Sequence, residues 1–235
     1  MQVILLDIEG TTSSIRFVHE VMFPFARREL PQYLENHWEY AEFQDARQQI
    51  AIDAGAESWE AWSGDRSTDQ QKQLVIEEIE RLMDGDVKAT GLKQLQGLIW
   101  RAGFESGELQ AHLYDDVAPA IRRWKEAGKQ VRIYSSGSIA AQKLFFGHTL
   151  HGDLLPLLDG HYDTTSGPKK EAESYRRIVA DIGVPAGEIL FLSDIAAELD
   201  AAREVGLQTG LSVRPGNGET PAGHGHPEWT SFEGI

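Results

Sequence analysis

The stretch Val3-Ile-Leu-Leu-Asp7-Ile-Glu-Gly-Thr-Thr12, close to the start of the chain, decides the fold class. Its four consecutive apolar residues end abruptly at a carboxylate, and such an uninterrupted run is typical of a strand buried on both faces of a parallel sheet. Similar short runs recur at 131–134, 189–192 and 208–213, each followed by polar or turn-forming residues. These runs predict four buried parallel strands.

Amphipathic segments separate the later strands, at 116–127, 138–146, 169–182 and 195–205. Gly128, Gly183 and Gly206 follow three of them, as glycines commonly do at the C-termini of helices. The alternation of helix with buried strand is typical of a doubly wound, Rossmann-like α/β sheet. We therefore expect residues 1–14 and 115–235 to form one α/β core.

The segment between the first and second strands has a different pattern. From residue 15 to residue 114 the apolar residues recur at helical spacing, and no convincing strand is present. We expect these residues to form a helical module inserted after the first strand. The Gly-, Pro- and His-containing tail, 216–235, is expected to be irregular surface.

The composition disfavours several classes of function. A net charge of −15 repels nucleic acid and anionic lipid, so neither is an expected partner. The chain has no cysteine, which rules out disulfides, thiolate catalysis and zinc–sulfur sites. The N-terminus has neither a basic leader nor a long apolar run, so we expect a cytoplasmic protein without a membrane span. We also expect a monomer.

Polar residues follow the predicted strands at the edge where parallel α/β sheets bind ligands. They are Asp7, Glu9, Thr11 and Thr12 after the first strand, Ser135 and Ser136 after the second, and Asp194 with Glu198 after the third. Lys169 and Lys170 are predicted to open the helix before the third strand. If these segments converge, the sequence predicts a hard-metal site beside an oxyanion site.

Such a set of residues suits phosphoryl transfer. A carboxylate such as Asp7 can attack phosphorus, and a divalent cation would reduce its repulsion from the phosphate. Oxygen ligands favour magnesium over zinc. Ser135, main-chain amides and a lysine can donate to the phosphoryl oxygens. Glu9, two residues after Asp7, lies toward the same edge if the chain stays extended, and can act as acid and base.

Each feature also has a structural interpretation. Asp7 and Glu9 could merely solvate a turn, Ser135-Ser136-Gly137 could be an ordinary turn, and Lys169-Lys170 could be a solvated face. The four histidines that invite interpretation as metal ligands, 148, 151, 224 and 226, are taken as surface or structural. The joint occurrence of four polar segments beside buried strands, in this order, favours a catalytic site.

Two other classes fit less well. A signalling receiver module also groups Asp, Lys and a hydroxyl around magnesium, but it is about half this length and carries its accepting Asp on a later strand. A dehalogenase needs no metal, and the pairing of Asp194 with Lys169 argues against it.

The residues resemble a known family in order and spacing. Asp7-Ile-Glu-Gly-Thr-Thr12, the strand end Ser135-Ser136, Lys169 and Phe-Leu-Ser-Asp194 are similar to the four motifs of the haloacid-dehalogenase superfamily. Most members have Asp where this chain has Glu9, and Asp-x-Glu-Gly-Thr-Thr is typical of one branch, the enolase-phosphatases of methionine salvage. Further segments similar to that branch are 92–100, 106–109, 134–138, 167–175 and 213–217.

The resemblance implies an enzyme with one Mg²⁺ per subunit. Its substrate would be 2,3-diketo-5-methylthiopentyl-1-phosphate, which is enolised and then dephosphorylated to the acireductone. The implied site comprises Asp7 as nucleophile and metal ligand, Glu9 as metal ligand through its carbonyl and as acid/base, Asp194 as metal ligand, Ser135 and Ser136 as substrate-binding residues, and Lys169 on the phosphoryl group. Residues 15–114 would be a cap that closes the site. We hypothesise that Glu9 is also the enolisation base. A superfamily phosphatase for another small phosphate ester stays open as an alternative.

Overall fold

A six-stranded parallel sheet organises the computed structural model, which describes all 235 residues. The strands are β1 Val3–Leu6, β2 Gln130–Tyr134, β3 Gly160–Tyr162, β4 Ile189–Ser193, β5 Gln208–Ser212 and β6 Glu228–Trp229. Their order across the sheet is β3-β2-β1-β4-β5-β6, and every neighbouring pair is parallel. The predicted doubly wound α/β class is confirmed.

The register brings the chemically important residues to one edge. Leu6 pairs with Ile133 on one side and with Leu192 on the other. The residues that follow these three therefore leave the sheet at the same carboxyl edge, where Asp7 follows β1. All four residues of β1 are completely buried, as their unbroken apolar run predicts.

Ten α-helices accompany the sheet. They are α1 Ile15–Phe17, α2 Phe23–His37, α3 Ala41–Asp53, α4 Trp59–Ser63, α5 Thr68–Asp84, α6 Thr90–Ser106, α7 Val117–Glu126, α8 Ile139–Gly147, α9 Ala172–Ile182 and α10 Ala196–Glu204. Short 3₁₀ turns lie at Leu155–Leu157 and Ala186–Glu188, and a π-helical segment spans Val18–Met22. No helix is long and apolar enough to cross a membrane.

The chain divides into two compact units, Met1–Val18 with Gln110–Ile235, and His19–Leu109. The first contains the whole sheet, and the second is built from α2 to α6 without any strand. Within the helical unit α3 packs closely on α6, because a Cβ at Gly91 would lie 2.6 Å from the main-chain nitrogen of Ile50. These limits lie a few residues from those expected at 14/15 and 114/115.

The local structure differs from what the sequence predicts in three places. The edge strands β3 and β6 were not predicted, because each is very short and lacks an unbroken apolar run. The tail is not simply irregular surface: it contains β6, and Phe232 is fully buried with its ring 5.7 Å from that of Trp124. Helix α9 begins at Ala172, so Lys169 lies in the turn before it.

Candidate active site

Asp7 is held at the end of β1 by the turn that follows it. The amides of Thr11, Thr12 and Ser13 all donate to the carbonyl of Ile8, at 3.2, 2.9 and 2.9 Å. The amide of Ile8 in turn donates to Asp7 Oδ1 at 2.8 Å. Asp7 is 5% exposed. One carboxylate oxygen is thus fixed by the main chain, and the other faces Lys169 and Ser193.

Lys169 joins the free oxygen of Asp7 to a second carboxylate. Its Nζ lies 2.7 Å from Asp7 Oδ2 and 2.7 Å from Glu198 Oε2. Burial alone would lower the pKa of Lys169, but Asp7 and Glu198 outweigh that effect and raise it above the ordinary lysine value. The side chain is therefore a permanent cation at neutral pH, in contact with the predicted nucleophile.

Ser193, the last residue of β4, completes this group. Its hydroxyl donates to Glu198 Oε2 at 2.9 Å, lies 3.4 Å from Asp7 Oδ2, and accepts from the amide of Ile195 at 3.1 Å. Burial, and after it the charge of Asp7, raises the pKa of Glu198. Glu198 was noted in the sequence only as a neighbour of Asp194, and the structure makes it the second partner of Lys169.

Asp194 lies against Gly10, in the turn that follows Asp7; we call it the nucleophile turn after the role predicted for Asp7. Gly10 has a φ of +67°, and a Cβ there would lie 2.3 Å from Asp194 Oδ2. Burial, followed by the charges of Asp7 and Glu198, raises the pKa of Asp194 to about 7. The carboxylates of Asp7, Glu198 and Asp194 thus lie close together with Lys169 as the cation paired with two of them.

This excess of negative charge fits a divalent cation. Asn217 adds a further oxygen, because its Nδ2 donates to the carbonyls of Gly10 and Ser212 at 2.9 and 3.1 Å while its Oδ1 is buried without a partner. Oδ1 lies 3.0 Å from the position of a Cβ on Gly10, beside Asp194. Carboxylate, carbonyl and amide oxygens are the donor set of a hard cation such as Mg²⁺. No group of three His, Asp or Glu side chains alone forms a ligand set for one ion.

Glu9 does not stay in line with Asp7. The expected extended conformation is replaced by the turn at Ile8, and the side chain of Glu9 is exposed whereas Asp7 is buried. The carbonyl and the carboxylate of Glu9 nevertheless belong to the same turn as Asp7 and Gly10.

Ser135 and Ser136 follow β2 at the same edge of the sheet. Ser135 is buried and its Oγ accepts from the amide of Gly137 at 3.3 Å, whereas Ser136 is exposed. Gln142 steadies this loop by donating to the carbonyl of Gly137 at 2.8 Å, and Asp163 accepts from the amide of Ile139 at 3.2 Å. Neither Gln142 nor Asp163 was singled out in the sequence.

Arg214 is a further candidate functional residue, and the sequence predicted no role for it. Its Nε donates to the carbonyl of Thr11 at 3.1 Å, next to the carbonyl of Gly10 that Asn217 holds. The segment Arg214-Pro-Gly-Asn217 after β5 was recognised as similar to a known branch, and this was the only available signal.

Of the four histidines at 148, 151, 224 and 226, His151 is exposed and His226 is buried. Buried His226 contacts Thr209 Oγ1 through Nδ1 at 2.8 Å and Asp200 Oδ1 through Nε2 at 3.1 Å. Lys170 is exposed.

Comparisons with known proteins identify similar chains along the whole sequence. The family model for haloacid dehalogenase-like hydrolases matches residues 1–206. Enolase-phosphatase E1 of Stenotrophomonas maltophilia (strain K279a) is 48% identical over 238 residues, covering 100% of this chain and 98% of the relative. Enolase-phosphatase E1 of Alcanivorax borkumensis is 50% identical, covering 99% and 96%. The crystal structure of the UTR4 protein of Saccharomyces cerevisiae superimposes with a TM-score of 0.82 at 39% identity, covering 100% and 99%.

Proposed function

Because the chain belongs to the haloacid dehalogenase-like hydrolases and, within them, to the enolase-phosphatases, we propose that it is the enolase-phosphatase of L-methionine salvage. It would convert 2,3-diketo-5-methylthiopentyl-1-phosphate into the acireductone and inorganic phosphate. The observation that carries the chemistry is the contact of the Asp7 carboxylate with the Lys169 ammonium at 2.7 Å, at the carboxyl edge of the sheet.

The phosphatase half proceeds through Asp7. One carboxylate oxygen attacks phosphorus, a bond from Asp7 to phosphorus forms, and the bond from phosphorus to the substrate oxygen breaks. Glu9 protonates the departing oxygen and then accepts a proton from the water that attacks the aspartyl-phosphate. Phosphate leaves and the Asp7 carboxylate is restored. Lys169, already beside Asp7 Oδ2, balances negative charge on the transferred group.

A divalent cation, proposed as one Mg²⁺ per subunit, would be held by Asp7, Asp194 and the main-chain carbonyl of Glu9. It would offset the repulsion between the attacking carboxylate and the phosphate. The negative charges of Asp7 and Glu198, which help to raise the pKa of Asp194, and the buried Oδ1 of Asn217 support this assignment.

The remaining roles are proposed on the same basis. Ser135 and Ser136 bind the substrate at the end of β2, and Glu9 is the base that removes the proton for enolisation. The helical segment, expected at 15–114 and compact over His19–Leu109, serves as the cap that excludes water during reaction. A monomeric, cytoplasmic enzyme without nucleic-acid or membrane partners is part of this proposal.

Phosphate release from the diketone phosphate tests the proposal, measured with magnesium and with a chelator while ultraviolet absorption reports the enol. We expect phosphate and the enol signal only when the metal is present. Metal-dependent release from simple phosphate esters, without reaction of the diketone phosphate, would favour the alternative of a superfamily phosphatase for another small ester. No metal-dependent release from any ester would contradict the phosphatase assignment itself.

A further inference from the structure

Three buried hydroxyl groups hold the turn that carries Lys169. The turn runs from Gly167 through Pro168 to Lys169, just before α9. Tyr134 donates to the carbonyl of Gly167 at 2.9 Å, Ser174 to that of Pro168 at 2.7 Å, and Tyr175 to that of Lys169 at 2.7 Å. Three consecutive main-chain carbonyls therefore each accept a hydrogen bond from a different side-chain hydroxyl.

The three donors are shielded from water. Tyr134 and Tyr175 are 0% exposed and Ser174 is 1% exposed. A hydrogen bond in such a place is not readily exchanged for one to solvent. Removing the hydroxyl of Tyr134 or Tyr175 takes away the donor of a buried residue's carbonyl, whereas the carbonyl of Pro168 also accepts from the amide of Glu171 at 3.1 Å. The turn is therefore fixed by the core of the sheet unit and not by its own main-chain bonds alone.

Gly167 makes this arrangement possible. It has a φ of +124°, and a Cβ at this position would lie 2.2 Å from Ser174 Oγ. A larger residue would displace the serine hydroxyl from the carbonyl of Pro168 and strain the main chain. A glycine at position 167 is therefore required for the Ser174 hydroxyl to reach the carbonyl of Pro168.

Tyr134 also contacts the charged end of Lys169. The Nζ atom lies 5.8 Å from the centroid of the Tyr134 ring and 6.0 Å from that of Phe191, within the range of a cation–π interaction. The main chain of Lys169 and its ammonium group are therefore both constrained by the same aromatic cluster.

We propose that Tyr134, Ser174 and Tyr175 are positioning residues that act through Lys169. A lysine side chain is long and flexible, so its ammonium group stays in place only if its Cα is fixed. By fixing the carbonyls of residues 167–169, the hydroxyls keep Nζ where the phosphoryl group binds, in advance of binding. This inference rests on the proposed phosphatase function, in which Lys169 contacts that group.

Tyr175→Phe tests the inference with the least disturbance, because it removes only one hydroxyl. We expect kcat/KM to fall about 3- to 10-fold, and the dissociation constant for inorganic phosphate in the presence of magnesium to rise by a similar factor. The matched control is Tyr162→Phe, which removes a hydroxyl bonded to Asp181 at 2.6 Å on the edge strand β3. We expect Tyr162→Phe to leave kcat/KM and phosphate affinity unchanged, even if it lowers the melting temperature as much as Tyr175→Phe does.

A double-mutant cycle separates positioning from general stability. In a Lys169→Ala background, Tyr175→Phe should weaken phosphate binding no further, because the residue through which it acts is gone. The inference is overturned if Tyr175→Phe weakens binding by the same factor with and without Lys169. It is also overturned if Tyr175→Phe lowers the melting temperature but changes neither kcat/KM nor the affinity for phosphate. Failure of the wild-type protein to hydrolyse any ester would contradict the proposed function, and the binding measurements would still decide the role of Tyr175.

Discussion

Arg214 donates a hydrogen bond from Nε to the main-chain carbonyl of Thr11 at 3.1 Å, although 203 residues separate the two in the chain. The guanidinium also forms two bonds of 2.9 Å with the carboxylate of Asp116, and its central carbon lies 4.9 Å from the ring centroid of Tyr114 and 4.3 Å from that of Phe232. Asp116 in turn accepts from the amide of Phe232 at 2.6 Å. The C-terminal tail is therefore tied to the nucleophile turn through one buried ion pair.

Arg214→Gln should destabilise the protein by about 3 to 5 kcal/mol, because it leaves the buried carboxylate of Asp116 without its cation. Urea unfolding followed by circular dichroism measures the change. Arg122→Gln is the control, since Arg122 is exposed and donates one long hydrogen bond, 3.3 Å, to the carbonyl of His151. Equal losses in the free energy of unfolding for the two variants would contradict the stabilising role of the ion pair between Arg214 and Asp116.

Gly10→Ala should nearly abolish activity and weaken magnesium binding at least tenfold. The added methyl group would meet Asp194 Oδ2 at 2.3 Å, in a backbone conformation that already disfavours alanine. Activity assays and isothermal titration with magnesium chloride measure the two effects.

Gly183→Ala provides the matched control for Gly10→Ala. Gly183 has a φ of +76° but nothing within 4 Å of an added Cβ, so we expect only the conformational cost of about 1 to 2 kcal/mol. If Gly10→Ala were as active as Gly183→Ala, the placement of Asp194 against the nucleophile turn would be wrong.

His112 should make the folded protein less stable in mild acid. Its Nδ1 accepts from the amide of Ser14 at 3.3 Å, and burial lowers the pKa of the imidazole below its ordinary value of 6.5. The unfolded chain therefore binds a proton more readily than the folded chain, and stability falls as the pH drops through 6.5 toward the lower folded-state pKa. Denaturant unfolding at pH 7.5 and 5.5 should show a smaller loss for His112→Asn than for the wild type. An identical loss in both proteins would rule out His112 as a contributor.

Glu9→Gln should slow enolisation of the diketone phosphate by at least a hundredfold, because it removes the proposed base. Ultraviolet absorption follows the enol, and phosphate release is measured in parallel. Glu9→Asp is the informative companion, since it restores a carboxylate, one methylene shorter, and we expect it to recover phosphate release more fully than enolisation. Formation of the enolised phosphate at the normal rate by Glu9→Gln would exclude Glu9 as the base.

The predictable parts of this fold are the strands whose own sequences carry a clear hydrophobic pattern. The strands β1, β2, β4 and β5 carry apolar runs that suit burial in a parallel sheet, and the polar residues after them had to meet at one edge. The proximity of Asp7, which follows β1, to Asp194, which follows β4, agrees with that rule. The strands β3 and β6 depend on their neighbours in the sheet, and their sequences alone contain too short a pattern.

The finer structure of the site depends on contacts between distant segments. The sequence shows that Glu198 lies four residues after Asp194, but only the geometry assigns it to Lys169. Likewise, nothing in Arg214-Pro-Gly-Asn217 indicates that its side chains hold the carbonyls of Thr11 and Gly10. Such bonds are set by the relative placement of loops, which hydrophobic periodicity does not describe.

Trapping of the covalent intermediate tests the central role of Asp7 most directly. The enzyme with magnesium is mixed with the diketone phosphate, quenched in acid within milliseconds, and digested for mass spectrometry. We predict that the N-terminal peptide gains the mass of one phosphoryl group at Asp7, and that Asp7→Asn forms no adduct and releases no phosphate. Phosphate release by Asp7→Asn at the wild-type rate, with no adduct on the wild-type peptide, would contradict the account.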